Sequence, residues 1–163
     1  MQKTFTRFLA AAAFLAVAGG AHAATTVQDQ FQARITIQNE CVINSVTDLD
    51  FGTSGLLNAA VDATASISLR CTENAAYDIG LDGGATGDTS ARQMSDGNGN
   101  TVDYQMYQDS GRTVAWGNVV GTDTKSGTGT GTDETHIIYG RVPAQATPPA
   151  GTYTDTVTVT VTY

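Results

Sequence analysis

Few residue patterns in this chain could do chemistry. His136 follows Asp133 and Glu134, carboxylates that could tune a general base. At the junction of a loop and a strand it reads more simply as a surface histidine. Asp96-Gly97-Asn98-Gly99-Asn100 begins like a calcium loop, but the sixth position is Thr101 where glycine is needed and the twelfth is Tyr107 where glutamate is needed. Gly127, Gly129 and Gly131 lack the Gly-Lys-Ser/Thr ending of a phosphate loop. Asp48 and Asp50 resemble a glycosidase pair, yet with sixteen acidic residues such pairs arise by chance. Trp116, the only tryptophan, could stack on a sugar; with Tyr104, Tyr107 and Tyr139 it reads more simply as core or support. No catalytic, cofactor-binding or metal-ligating residue is assigned, and no enzyme and no cofactor are expected.

Cys41 and Cys71 are the only cysteines. What precedes them decides their chemistry. Lys3 and Arg7 lead into an apolar run from Phe8 to Val17, followed by Gly19-Gly20 and then Ala21-His22-Ala23, the pattern of a secretory signal over residues 1–23. The apolar run is too short to span a bilayer, which needs about 20 residues, so no membrane insertion is expected once the signal is removed. An even cysteine pair in an oxidising compartment reads as a disulfide. Closing its loop of about 30 residues contributes roughly 3 to 4 kcal/mol by the chain-entropy argument. The exported chain keeps six basic residues against sixteen acidic ones, a formal charge of −10. That surface repels nucleic acid and anionic lipid.

Eighteen glycines, three prolines and many threonines point to turns and short strands. From Thr152 to Tyr163, valine or tyrosine occupies positions 153, 157, 159, 161 and 163 while threonine fills the even ones, the period-two signature of a half-buried strand. Nothing follows that strand to cover its edge, so it is expected to be a template for another chain. Val27 to Ile37 alternates in the same way, with Gln28, Gln30, Gln32, Arg34 and Thr36 on the other face and Asp29 breaking the apolar one. Between them, strands are expected over Val61–Cys71, Tyr77–Leu81, Val102–Met106, Val114–Trp116 and His136–Val142, with turns over 85–100 and a polar surface loop over 122–135. Roughly six short strands spaced by turns predict an all-β sandwich that is one strand short of the seven-stranded immunoglobulin-like arrangement. The surplus strand lies at the N-terminal end.

Leu49-Asp50-Phe51-Gly52, Arg92-Gln93-Met94, Tyr104-Gln105-Met106-Tyr107, Trp116-Gly117, Tyr139-Gly140-Arg141-Val142-Pro143 and Gly151-Thr152-Tyr153-Thr154-Asp155-Thr156-Val157 recur in order around the two cysteines. In this the chain resembles the spore coat protein U domain family, which includes subunits of archaic chaperone-usher pili. The resemblance implies an incomplete immunoglobulin-like β-sandwich lacking its last strand, with a groove beside the C-terminal strand. It implies a periplasmic chaperone that first fills the groove, an outer-membrane usher, and neighbouring subunits that replace the chaperone by donor-strand exchange, a known mode of strand addition. On this reading residues 24–38 are the donor extension and 39–163 the domain. Val27, Phe31, Ala33, Ile35 and Ile37 are the groove-filling residues, and Tyr153, Val157, Val159, Val161 and Tyr163 border the acceptor groove. The expected product is a homopolymeric pilus at the cell surface, supporting adhesion and biofilm formation. The alternatives are a spore or cell-surface coat protein and a monomeric secreted sandwich that binds carbohydrate through Trp116.

Overall fold

The computed structural model describes residues 24–163; the expected signal, 1–23, lies outside the described residues. The chain divides into two units after Ile35. In the first, residues 24–35 have no regular secondary structure, and Val27, Phe31 and Ile35 are exposed, Phe31 at 92%.

The second unit, Thr36–Tyr163, is all-β among the described residues apart from one 3-10 turn at Gly84–Thr86. Its strands are β1 (Cys41–Val46), β2 (Val61–Cys71), β3 (Ala76–Leu81), β4 (Gln93–Ser95), β5 (Thr101–Asp103), β6 (Gln105–Tyr107), β7 (Lys125–Thr128), β8 (Asp133–Val142) and β9 (Val159–Thr162). One sheet has the order β1-β2-β8-β6, a second β7-β3-β9, and β4 pairs with β5 alone. All the paired neighbours are antiparallel.

Alternation sets which side chains meet. In β2, Ala65, Ile67, Leu69 and Cys71 are buried while Asp62, Thr64 and Arg70 face water. In β3, Tyr77, Ile79 and Leu81 point into the same core. Ile138 and Val142 of β8, and Val102, Tyr104 and Met106 around the β5–β6 junction, complete it. Cys41 stands opposite Cys71 at the end of the β1–β2 ladder, and the two form a disulfide. On the outer face Asp62 takes Arg141 at 2.7 Å and Arg112 at 3.3 Å; the Arg141 hydrogen bond outweighs burial and holds the Asp62 carboxyl below its usual range.

Trp116 is fully buried, and its indole Nε1 donates to Ile79 O at 2.8 Å. That placement removes it as a sugar platform. Arg92 is buried as well, its guanidinium donating to the carbonyls of Asp82, Leu81, Trp116 and Thr89 and to Gln105 Oε1. A buried charge is tolerable only when its donors are satisfied in this way.

Several expectations are corrected. The stretch 122–135 is not a loop: it holds β7 and the first residues of β8, which begins at Asp133 and not at His136. β7 is an edge strand whose Lys125–Thr128 residues gain hydrogen bonds from β3, so it needs no apolar alternation. Gly127 lies against the Tyr77 ring, where any side chain would collide. The stretch 85–100 contains β4 in addition to turns; Gly97 and Gly99 do adopt positive φ, 77° and 94°. Asp96 caps that turn through Asn98 N and Asn100 N, the work of an Asx turn and not of a calcium loop.

His136 sits within β8, half-buried, and not at a loop end. Tyr77 Oη donates to Glu134 Oε2 at 2.6 Å, which leaves the phenol oxygen to accept from His136 Nε2 at 2.9 Å, joining the two sheets. Burial, then the Lys125 charge, pushes the His136 pKa down. The folded chain therefore holds this histidine neutral, whereas the unfolded chain takes up a proton near pH ~6.5. A depressed histidine pKa makes stability fall as pH drops through that value. Thermal melts are expected to show such a fall below about pH 6.5, reduced in His136→Gln; an equal fall in that variant would contradict the assignment.

Candidate functional site

The second unit holds a groove of about 1060 Å³. Its floor is apolar, with Val61, Ala65, Leu81, Met94, Val102 and Met106 among its lining. One rim is the C-terminal segment. Tyr153, Val157 and Val159 line the groove, Val161 packs half-buried against the core beyond it, and Tyr163 is 58% exposed outside the groove lining. The even-numbered threonines 152 to 162 face water.

Only Val159–Thr162 of this rim belongs to a ladder, paired with β3. Upstream, an isolated backbone pair and carboxylate side chains take the place of a ladder. Thr154 exchanges two backbone bonds with Ser95, at 2.9 and 3.0 Å. Asp155 accepts from Ala85 N through Oδ1 at 2.9 Å and from Tyr104 Oη through Oδ2 at 2.7 Å. Asp82 Oδ1 accepts from Thr158 N at 2.9 Å and from Gly84 N at 3.0 Å. Burial raises the Tyr104 pKa, and its bond to Asp155 adds to the rise, so the phenol keeps the donor proton this contact requires. Burial opposes the ionisation of Asp82, but the Thr158 and Gly84 amides outweigh it and hold the carboxyl low. The outer edge of β9 has no ladder partner among the described residues.

The opposite rim is the stretch from Val46 to Leu57, which the sequence reading did not assign. Leu49, Phe51 and Leu57 turn inward, half-buried, while Asp48 and Asp50 stay exposed. Phe51 meets Tyr104 edge-on at 6.2 Å between ring centroids. Gly140 makes room for both rim side chains, because a methyl group there would lie 2.7 Å from Leu49 Cδ2 and 2.9 Å from Phe51 Cζ. The available signal was the Asp-Leu-Asp-Phe alternation together with a glycine inside an apolar strand, which marks a close approach. Along β1, Val42, Ile43 and Val46 remain exposed. An apolar strand edge bare on this side fits a sandwich with one position unfilled.

Comparison with known proteins agrees with this geometry. Residues 27–160 match the family described as Spore Coat Protein U domain. The chain belongs to that family. It is 32% identical over 177 aligned residues to Protein U of Myxococcus xanthus, covering 99% of this chain and 98% of that protein. Its fold is also similar to a chain in the crystal structure of the CsuC-CsuE chaperone-tip adhesion subunit pre-assembly complex from archaic chaperone-usher Csu pili of Acinetobacter baumannii. That likeness has a TM-score of 0.56 and 27% identity over 78% of this chain. This chain spans 40% of that neighbour's length. Of the residues expected to act as donors, Val27, Phe31, Ala33 and Ile35 fall in the first unit, and Ile37, 70% exposed, stands just inside the second. Among the described residues no helix is long and apolar enough to cross a membrane.

Proposed function

We propose that this chain is a structural, non-enzymatic subunit of a surface fibre of the chaperone-usher type. Its groove is filled in turn by a strand of a periplasmic chaperone and, at an outer-membrane usher, by residues 24–38 of another copy. The observation that carries this reading is the open apolar groove with two rims and an unpaired outer strand edge, on a chain that also bears an exposed alternating apolar segment. A groove and its complement at different places on one chain make a head-to-tail contact, which propagates into an open filament. Adhesion and biofilm formation are the roles such a fibre would support at the cell surface.

A synthetic peptide of residues 24–38 tests the groove directly. It is expected to bind the full chain saturably and to raise its melting temperature, as any ligand selective for the folded state does. Phe31→Asp in the peptide should weaken binding about ten- to a hundred-fold, since full burial of a phenylalanine contributes roughly 1.5 to 3 kcal/mol. A wild-type peptide without effect on melting would sink the reading.

A second reading, a coat protein assembled through the same groove, is favoured by the full-length likeness to Protein U and by the family's description. Electron microscopy of the producing cells separates the two. Fibres on growing cells favour the pilus, and a continuous layer favours the coat.

A further inference from the structure

Resting on the strand-donation reading, we infer that Arg34 of one copy pairs with Asp48 or Asp50 on the groove rim of the next, and that this contact restricts the register of the inserted segment. The other cations among the described residues are engaged. Arg70 is paired with Asp133, Arg112 and Arg141 share Asp62, and Arg92 is buried among carbonyls. Lys125 lies over the Trp116 ring at 5.4 Å and donates to Gln108 O. Arg34 is exposed and belongs to none of these ion pairs.

The two rims differ in what they offer such a cation. When the odd-numbered residues of 27–37 enter the groove, Gln28, Gln30, Gln32, Arg34 and Thr36 face outward, and Arg34 is the one charge among them. The C-terminal rim presents only threonine on its outward face. The Val46–Leu57 rim presents Asp48 and Asp50, exposed and without a cation among the described residues, on either side of inward-turned Leu49. Side chains on adjacent strands meet when they stand opposite on one face. Arg34 opposite Asp48 or Asp50 places one of its neighbours Ala33 and Ile35, which point the other way, beside Leu49 over the apolar floor. A slip of one residue would turn the apolar set outward; a slip of two keeps it inward and either passes Arg34 from one carboxylate to the other or, in the opposite direction, moves it off both. The carboxylates therefore narrow the registers that hydrophobic alternation leaves equivalent to the two in which Arg34 stands opposite Asp48 or Asp50. The pairing also gives this acidic chain a local attraction towards its own kind.

The full chain, exported in its own host, carries the test. Arg34→Glu is expected to lower incorporation into assemblies roughly ten-fold in competition with wild type, and adding Asp48→Arg is expected to restore most of it. Arg34→Lys keeps the charge and permits carbodiimide coupling, with mass spectrometry expected to join position 34 of one copy to position 48 or 50 of another. Wild-type incorporation of Arg34→Glu, no recovery in the swapped pair, or coupling of position 34 elsewhere would each overturn the pairing. Deleting residues 24–32 is the separate control. If that chain still assembles, strand donation itself fails, whatever the charge variants do.

Discussion

Deletion of residues 24–32 is expected to leave the domain folded and its disulfide formed, yet to abolish head-to-tail assembly. The deletion removes Val27 and Phe31, both exposed in the single chain, and touches none of the fourteen apolar residues that are buried in the core among the described residues. The melting temperature and near-ultraviolet dichroism of the chaperone-bound subunit should therefore match those of wild type. Burying a valine and a phenylalanine in a neighbour's groove contributes roughly 3 to 6 kcal/mol together, so the junction should weaken about a hundred- to ten-thousand-fold. Native gel ladders and negative-stain images report the loss. A deleted chain that melts ten degrees lower would place the segment in its own domain.

Trp116→Ala is expected to prevent accumulation of folded protein. Truncating a fully buried tryptophan costs about 3 to 5 kcal/mol through lost transfer energy and the cavity left behind. The change also orphans the Ile79 carbonyl, which now accepts from the indole, for about 1 to 3 kcal/mol more. Lys125 loses the ring it lies over. Against a typical total of about 5 to 15 kcal/mol, little stability remains. Urea denaturation of the purified variant, or its absence from the exported fraction, is the readout. A shift below about 1 kcal/mol would mean that Trp116 does not hold the sandwich together. Trp116→Phe keeps most of the apolar volume and should fold with an intermediate loss, separating packing from the hydrogen bond.

Legibility in the sequence followed how each strand gains its stability. β2 was readable to the residue because it lies inside a sheet with one face in the core, so its alternation from Val61 to Cys71 is forced. β7 was not, because an edge strand of Lys, Ser, Gly and Thr is held by backbone bonds to β3 and by a glycine under Tyr77. The C-terminal alternation was plain, but it could not tell that only Val159–Thr162 forms a ladder and that Asp82 and Asp155 hold the rest. The bonds that fix the segment join residues far apart in sequence: Asp82 with Thr158, and Asp155 with Ala85 and Tyr104. The Val46–Leu57 rim escaped for a related reason: it lies in no ladder beyond Val46, and its apolar residues are placed by Gly140, some ninety positions away.

The disulfide between Cys41 and Cys71 has a mechanical consequence. It joins the first residue of β1 to the last residue of β2. Tension applied through residues preceding Cys41 would otherwise unzip β1 from its neighbour one pair at a time. With the covalent link at the point of entry, the load passes at once into β2, whose ten-pair register with β8 resists it in shear along its whole length. A thread built from such units would yield first at the non-covalent joints between them and last within the units themselves.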